Sequence, residues 1–171
     1  MSIDKTQRNR YSKQMIKTQP VPEHHRAITP YLCVKGASEA IEFYKHAFSA
    51  KKILRISMTD GTIAHAEIEI GVSRIKLAEE NEQWGNKSPQ TIGGTPVKLS
   101  LYVEDVDAVF ARAISFGATA MGEGSVRDQF YGARSGSVTD PFGHQWMIMT
   151  HIEDVSSEEL QRRHDAMLSS K

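Results

Sequence analysis

Residues 31–50 read YLCVKGASEAIEFYKHAFSA, and residues 100–118 read SLYVEDVDAVFARAISFGA. Each stretch begins as a short apolar strand that ends in valine, at Val34 and at Val103, and continues through a polar turn into an amphipathic helix. Both helices are followed by runs in which apolar and polar residues alternate, as they do in β-strands. The chain is therefore predicted to contain the same strand-helix-strand unit twice, with a binding site between the two halves.

The composition narrows the classes of protein to which the chain can belong. It has 171 residues, and its 21 lysines and arginines are balanced by 21 aspartates and glutamates, so no net charge favours nucleic acid or an anionic membrane as a partner. The single cysteine, Cys33, excludes an intrachain disulfide and a cysteine-based zinc site. No apolar run is long enough to span a membrane, and the N-terminus lacks the apolar core of a signal peptide. We therefore expect a cytoplasmic protein that binds neither nucleic acid nor membranes.

The pattern divides the chain into three zones. Residues 1–26 are predicted to form a polar N-terminal arm, in which Pro20 and Pro22 break regular structure before the first strand. Residues 27–152 form the folded domain, and residues 153–171 form a C-terminal tail whose Ser-Ser-Glu-Glu start predicts a terminal helix. The domain divides into modules at 27–80 and 97–152, joined by a linker at 81–96 that is rich in Asn, Gly and Pro.

Hydrophobic periodicity predicts the elements of each module. In the first module it predicts a helix at 37–48 and strands at 28–34, 52–58, 62–70 and 73–79. In the second module it predicts a helix at 106–116 and strands at 97–103, 118–122, 134–139 and 144–151. Asp105 is the predicted N-cap of the second helix, and residues 140–143 (DPFG) are the predicted turn between the last two strands. The predicted fold class is α+β, with two βαβββ modules in tandem.

Five short motifs occur in a fixed order along this duplicated pattern, at residues 28–32, 40–44, 101–108, 128–132 and 139–144. With these motifs the domain resembles the vicinal oxygen chelate superfamily, which has the glyoxalase/bleomycin resistance/dioxygenase fold, and especially its PhnB-like branch. The resemblance implies two modules whose curved mixed sheets face one another around a cleft that binds a small molecule. It also implies a homodimer, and the N-terminal arm is a candidate for clasping the second copy.

Strand periodicity assigns residues to the two faces of each sheet. In the run IAHAEIEI at 63–70, the alanines and isoleucines at even positions are expected to pack on the helices, whereas His65, Glu67 and Glu69 face the cleft. The same alternation places on the cleft side Thr29, Tyr31, Cys33, Arg74, Lys76, Ala78, Lys98, Ser100, Tyr102, Gln145, Met147, Met149 and His151. Strands of both modules carry polar residues on one face. This agreement favours a shared polar cleft over polar faces that are simply exposed to solvent.

Metal-using members of the superfamily place four ligands at matched positions, on the first and last strands of each module. The resemblance carries these positions onto Thr29, Lys76, Lys98 and Met147, none of which is a normal ligand of a divalent metal. We therefore expect no metal and no other cofactor. A displaced divalent-metal site would need His65, Glu67 and His151. The alternatives are a histidine that is only hydrogen-bonded beside the polar cleft, and Glu67 or Glu69 paired with Lys76 or Arg74 across the hairpin.

Two functions remain open. In the first, the chain is a metal-free binding protein that holds a small organic molecule between its modules and catalyses no reaction. The loop at 127–134 concentrates aromatic, amide and guanidinium groups, and we expect Phe130 and Tyr131 to pack inward. The predicted ligand contacts are Tyr31, Tyr102, Gln129, Tyr131, Arg134, Met147, Met149 and His151.

The second open function is a metal-independent enzyme of lyase or isomerase type that acts on a small carbonyl or carboxylate compound. In this hypothesis Lys76 or Lys98 stabilises an oxyanion in place of the metal. Glu67 or His65 is then the general base. A structural ion pair contains the same residue types as a catalytic base beside a cation, and the sequence does not distinguish the two. Neither function is therefore excluded at this point.

Overall fold

The computed structural model describes residues 19–169, so residues 1–18 of the predicted N-terminal arm lie outside the described residues, as do residues 170 and 171. The first module contains β1 (Tyr31–Val34), α1 (Ala37–Phe48), β2 (Lys51–Ser57), β3 (Ile63–Ile70) and β4 (Ser73–Glu79). The linker contains a 3-10 turn (Glu82–Trp84) and α2 (Pro89–Ile92). The second module and the tail contain β5 (Lys98–Tyr102), α3 (Val106–Ser115), β6 (Thr119–Ala120), β7 (Arg127–Gln129), β8 (Ala133–Thr139), β9 (Gln145–His151) and α4 (Ser157–Ser169).

Strand pairing repeats in the two modules. The first sheet has the strand order β1-β4-β3-β2, and the second has the order β5-β9-β8-β6, with β7 also paired to β8. In each sheet one pair is parallel, β1 with β4 and β5 with β9, and the other pairs are antiparallel. Both sheets are therefore mixed, and the predicted α+β fold with two βαβββ modules in tandem is confirmed.

Two connections contain more regular structure than the sequence pattern indicates. The loop predicted before β8 includes the short strand β7, and the linker includes the 3-10 turn and α2. Helix α2 begins where it does because the Ser88 side chain accepts a hydrogen bond from the backbone N–H of Thr91, and Pro89 occupies the first turn. Elements of three or four residues are too short to produce a recognisable periodicity.

Both sheets turn an apolar face towards one shared core. Leu32, Ile68 and Leu77 of the first sheet are at most 5% exposed, and they belong to the same buried cluster as Trp146 and Ile148 of the second sheet. The predicted assignment of the apolar side of β3 to the core is therefore confirmed. The polar residues of the strands lie on the opposite side of each sheet, because side chains alternate along a strand.

A buried carboxylate joins the two modules. Asp140 begins the turn between β8 and β9, and its Oδ2 accepts hydrogen bonds from the Tyr44 hydroxyl at 2.7 Å and from Trp146 Nε1 at 2.9 Å. Its Oδ1 accepts the backbone N–H groups of Phe142 and His144, both at 2.9 Å. Burial, and then the charge of Asp140, raise the pKa of the Tyr44 phenol well above its ordinary value. The carboxylate therefore fixes a helix of one module against a strand of the other.

The two module helices begin with different caps. Before α1, the carboxylate of Glu79 at the end of β4 accepts the backbone N–H groups of Gly36 at 2.7 Å and Ala37 at 2.8 Å. Before α3, Asp105 is the N-cap, as predicted. No helix within residues 19–169 is both long and apolar enough to cross a membrane.

Candidate functional site

The polar side of the first sheet carries charged and aromatic side chains in register. Backbone pairing places Tyr31 of β1 beside Lys76 of β4. Lys76 in turn lies beside Glu67 of β3, and Glu67 beside Leu54 of β2. We name this surface the charged face, and its members are Tyr31, Cys33, Leu54, Ile56, His65, Glu67, Glu69, Arg74 and Lys76. The sequence pattern did not predict that Leu54 and Ile56 lie on this surface. A register shift between Lys52 and Leu54 changes which side chains of β2 point to the charged face.

Glu67 lies at the centre of the charged face, with its side chain only 12% exposed. Its Oε2 is 3.4 Å from an Arg74 nitrogen and 3.5 Å from Nε2 of His25. Its Oε1 is 3.6 Å from Nε2 of His65 and 3.9 Å from Nζ of Lys76. The structure therefore brings together three of the four catalytic candidates, namely His65, Glu67 and Lys76.

The surroundings of Glu67 decide its protonation state. Burial alone raises the pKa of this carboxyl. The hydrogen bond from His65 and the charges of His25 and Lys76 outweigh burial, so the pKa of Glu67 lies below its ordinary value. A carboxylate that is hard to protonate is a weak general base, and Glu67 is better suited to orienting its neighbours than to accepting a proton.

His65 connects Tyr31 to Glu67. The Tyr31 hydroxyl lies 3.4 Å from Nδ1 of His65, and the two ring centroids are 5.8 Å apart. Because Nε2 of His65 faces the Glu67 carboxylate, a neutral imidazole protonated on Nε2 leaves Nδ1 free to accept the Tyr31 hydroxyl. Burial and the neighbouring Cys33 raise the pKa of Tyr31, so the phenol keeps its proton. Tyr31, His65 and Glu67 thus form a line of polar contacts across the charged face.

His25 is a member of the site that the sequence interpretation did not identify. It precedes β1, its side chain is 16% exposed, and its ring covers one side of Glu67. Its Nδ1 is buried and has no hydrogen-bond partner within residues 19–169. The segment before β1 has no strand periodicity, so no pattern in the sequence indicates which sheet side it covers.

The polar side of the second sheet has a different chemistry. In the register of β5, β9 and β8, Met147 lies between Ser100 and Ser137, at the position that Lys76 occupies in the first sheet. We name this surface the methionine face, and its members are Lys98, Ser100, Tyr102, Ser135, Ser137, Gln145, Met147, Met149 and His151. Thioether and hydroxyl groups thus replace the charged centre of the first sheet.

The loop after β7 covers part of the methionine face. The Tyr131 hydroxyl is 3.1 Å from the Ser135 hydroxyl, and the side chains of Tyr131 and Phe130 are half-buried. Helix α4 contacts this loop, since Arg163 donates a hydrogen bond to the Phe130 carbonyl at 3.2 Å. The ring of His164 lies 5.8 Å from that of Phe130. The tail therefore supports the loop that borders the predicted cleft.

Arg134 is not brought together with the other predicted ligand contacts. Its neighbours in β8, Ala133 and Ser135, point to the methionine face, so Arg134 points to the opposite side. Its guanidinium donates to the two oxygens of Asp107 at 2.7 and 2.8 Å and to Asp128 at 2.9 Å. These ion pairs connect α3 with β7 and β8, which is a structural arrangement.

Three further predicted residues lie at the borders of the methionine face. Gln129 pairs with Ala133 at the end of β8. Nε2 of His151 contacts the carbonyl of Glu153 at 2.7 Å, beyond the end of β9. Lys98 is exposed at the start of β5 and makes no ion pair within the described part of the chain, so it is separate from Lys76 and Glu67.

The residues present do not fit the metal that the superfamily resemblance implies. A hydroxyl, two ammonium groups and a thioether occupy the four matched ligand positions, Thr29, Lys76, Lys98 and Met147. His151 lies in the second sheet and faces Glu153, so the displaced set with His65 and Glu67 is not assembled. Among residues 19–169, no three His, Cys, Asp or Glu side chains are grouped so that they could hold a metal ion.

Comparison with known protein sequences identifies a family. The model of the Glyoxalase/Bleomycin resistance protein/Dioxygenase superfamily matches residues 24–148, which include both modules. An uncharacterized protein of Mycobacterium bovis is 41% identical over 138 residues, which are 79% of this chain and 90% of the relative. An uncharacterized protein of Mycobacterium tuberculosis has the same identity over 80% of its own length.

Solved structures share the fold. TioX from Micromonospora sp. is 22% identical, with 74% of this chain and 99% of that chain covered and a TM-score of 0.59. A PhnB protein from Bacillus cereus is 17% identical, with 73% and 99% covered and a TM-score of 0.57. The fosfomycin resistance protein FosX from Listeria monocytogenes, solved with Mn(II) and dihydroxypropylphosphonic acid, is 20% identical, with 80% and 94% covered and a TM-score of 0.56.

Proposed function

The chain belongs to the glyoxalase/bleomycin resistance protein/dioxygenase superfamily, and on that basis we propose that it binds a small organic molecule at the charged face without the superfamily's metal. The observation that supports this most is the arrangement around Glu67. Arg74 and both histidines contact the Glu67 carboxylate at 3.4–3.6 Å, whereas Lys76 lies 3.9 Å from it and keeps its side chain 34% exposed. This ammonium can donate to an oxygen-bearing group of a ligand, and the neighbouring ring of Tyr31, whose hydroxyl is engaged with His65, offers the ligand a flat surface.

The rest of the charged face limits the class of ligand. Leu54 and Ile56 are 41% and 51% exposed and adjoin the polar centre through their pairing with Glu67 and His65. A ligand that covers them needs an apolar part next to its oxygen-bearing group. Carboxylates, phosphonates and carbonyl compounds with a small hydrocarbon part meet this description.

Lys76 carries the electrostatic part of the proposal. FosX was solved with a divalent metal and a phosphonic acid. In this chain an ammonium stands at one of the four matched ligand positions, where it can bind the ligand oxygen directly. A fixed cation supplies the attraction for an anionic or polarised oxygen that a metal ion supplies elsewhere in the superfamily.

We also propose that the protein is a homodimer in the cytoplasm, in which the methionine face of one copy adjoins the charged face of the other. Within residues 19–169, β1 and β5 each pair along one edge only. Apolar side chains stand exposed near these edges, namely Ile28 at 87%, Val97 at 59% and Tyr102 at 67%. Light scattering after size-exclusion chromatography tests this assembly, and a monomer at micromolar concentration contradicts it.

The binding proposal is tested on metal-free protein. Small carboxylates, phosphonates and carbonyl compounds are screened by thermal shift, and the best compound is measured by calorimetry. We expect Lys76→Met to weaken its binding about tenfold, because a charge-assisted hydrogen bond is lost. Lys35→Met changes an exposed lysine outside the charged face and should leave the affinity unchanged. Binding that needs added Mn(II) or Zn(II), or an equal loss in both variants, contradicts the proposal.

The hydrogen bond between Tyr31 and His65, with Glu67 beyond His65, favours a second candidate function, metal-independent proton transfer on a small carbonyl or carboxylate compound. Here the ligand's proton passes to the Tyr31 oxygen while the phenol proton passes to Nδ1 of His65, and the reverse steps return a proton to another atom of the ligand. Lys76 stabilises the developing oxyanion meanwhile. Tyr31→Phe should then retain binding and lose turnover. A ligand whose NMR spectrum in D2O stays unchanged after long incubation with the wild-type protein excludes this candidate for that ligand.

A further inference from the structure

A cavity of about 720 Å³ lies among the apolar side chains where the two modules meet. This volume is within the range of about 300–1,000 Å³ that ligand pockets occupy. The apolar wall is formed by Phe48, Ile75, Leu99, Leu101, Val109 and Trp146. Of the charged face, Arg74 lines the cavity, whereas Tyr31, His65, Glu67 and Lys76 do not, so the cavity adjoins the binding site proposed above but has a different centre.

The duplication shows which groups fill the corresponding space in the other half of the molecule. Beside α1, the turn between β8 and β9 inserts Phe142, whose ring lies 6.2 Å from that of Phe43 and 6.4 Å from that of Tyr44. The same turn supplies Asp140, which accepts the hydrogen bond of the Tyr44 hydroxyl. The space beside α1 is thus filled by an aromatic ring and a carboxylate.

The corresponding space beside α3 receives neither group. Ile70 pairs with Ser73 across a turn of two residues, whereas Asp140 pairs with His144 across a turn of three. In this register Ile70 of the first module occupies the position that Asp140 occupies in the second module. Val72 is 77% exposed, in contrast to the buried Phe142. The shorter turn between β3 and β4 therefore does not fill the space beside α3, and the cavity remains open there.

A cation replaces an aromatic ring in this half. Counting from the helix starts at Ala37 and Val106, Arg112 of α3 corresponds to Phe43 of α1, the ring that lies against Phe142. Arg112 lines the cavity, and its Nε donates to the carbonyl of Ala47 at 2.8 Å, which fixes the guanidinium. No carboxylate pairs with Arg112 in residues 19–169. The position that holds a ring against Phe142 in one half thus holds a guanidinium in the other, without a carboxylate partner among the described residues.

We propose that this cavity binds a carboxylic acid with a flat apolar body. The carboxylate pairs with Arg112, and the ring system lies between Leu101, Ile75 and Trp146. Such a ligand supplies the two groups that Asp140 and Phe142 supply in the other half. This site goes beyond the function proposed for the charged face and does not depend on it.

The test uses two matched probes, 2-naphthylacetate and 2-naphthaleneethanol, which share a ring system and differ in the carboxylate. Each is titrated into the ¹⁵N-labelled full chain. We expect the acid to shift the amide resonances of Gly71, Val72 and Ala108, and to bind about tenfold more tightly than the alcohol. Arg112→Gln should reduce the affinity of the acid to that of the alcohol, whereas Arg162→Gln, in an arginine outside the cavity, should not change it.

Leu101→Trp tests the same site without changing Arg112. The larger side chain occupies the cavity, so both probes should lose binding, and thermal unfolding checks that the variant is folded. Lys76→Met should leave the binding of 2-naphthylacetate unchanged, whatever becomes of the charged-face ligand. Equal affinity for both probes, or shifts confined to Tyr31 and Lys76, overturns the proposal. So do cavity resonances that move with protein concentration alone, because a second copy then occupies the space.

Discussion

The carboxylate of Glu67 holds together side chains from three parts of the chain. His25 comes from the segment before β1, His65 from the same strand, and Lys76 from the neighbouring strand. Because the pKa of Glu67 is lowered in the folded state, its interactions stabilise the fold above the ordinary pKa of glutamate. This contribution is lost as the pH falls through the lowered pKa, since the carboxyl is then protonated.

Glu67→Gln should therefore destabilise the protein by about 1 kcal/mol at neutral pH, the upper range for partly exposed ion pairs. The difference from wild type should shrink as the pH is lowered through the carboxyl range. Urea unfolding at a series of pH values measures this. Glu82→Gln is the control, because Glu82 is 89% exposed and, within residues 19–169, its carboxylate pairs only with Lys87. A difference between wild type and Glu67→Gln that persists unchanged at the acid end contradicts the assignment.

How far the site could be predicted depends on where each residue lies. The alternation of side chains along each strand was sufficient to predict that Tyr31, Glu67 and Lys76 share one surface, because β1, β3 and β4 pair without a register shift. His25 could not be found, since it lies on the sheet without belonging to a strand. Arg134 was predicted to contact the ligand because it was grouped with the loop before β8. It lies within β8, where neighbouring residues point to opposite sides of the sheet.

At the level of elements, α1 and the turn between β8 and β9 depend on each other through Asp140. Tyr44→Phe removes one hydrogen bond to a buried carboxylate, and bonds of this kind contribute about 1.5–3 kcal/mol. We expect a loss of that size in the free energy of urea unfolding. Tyr102→Phe is the matched control, since Tyr102 is 67% exposed, and it should change stability by less than about 0.5 kcal/mol. Similar effects of the two substitutions contradict a connecting role for Tyr44.

Helix α4 restrains the loop that borders the methionine face. Arg163 donates to the Phe130 carbonyl and pairs with Glu153 at 2.7 Å. Arg163→Ala should speed hydrogen exchange at the amide of Gly132 several-fold, because the loop opens more often. Arg162→Ala is the control, since among the described residues Arg162 pairs only within the helix, with Glu159. Equal exchange rates in both variants indicate that α4 does not restrain the loop.

Long periodic elements were predictable, and short ones were not. The predicted helix at 37–48 coincides with α1, because its apolar residues recur on one side and Glu79 fixes its start. By contrast, β7 has three residues, and it exists because Arg127–Gln129 pair with β8. Tertiary pairing of this kind has no local signal in the sequence.

For the whole molecule, duplication preserved the fold while the two polar faces diverged. The strand orders are equivalent, yet Lys76 in one sheet corresponds to Met147 in the other. Because neither residue suits a divalent metal, we expect purified protein to contain well below one metal ion per chain, as measured by inductively coupled plasma mass spectrometry. Chelator treatment should not change the melting temperature. A tightly held transition metal near one equivalent contradicts the metal-free assignment.

The core that both modules share has a practical consequence for anyone who wishes to cut the chain. Gly93 and Gly94 lie exposed in the linker, between α2 and β5, where a break in the backbone removes no strand pairing. Each fragment then carries one complete sheet, part of the shared core and one partner of the Tyr44–Asp140 hydrogen bond. Two polypeptides expressed separately should reassemble by complementation, and fused to other proteins they become a split reporter of proximity.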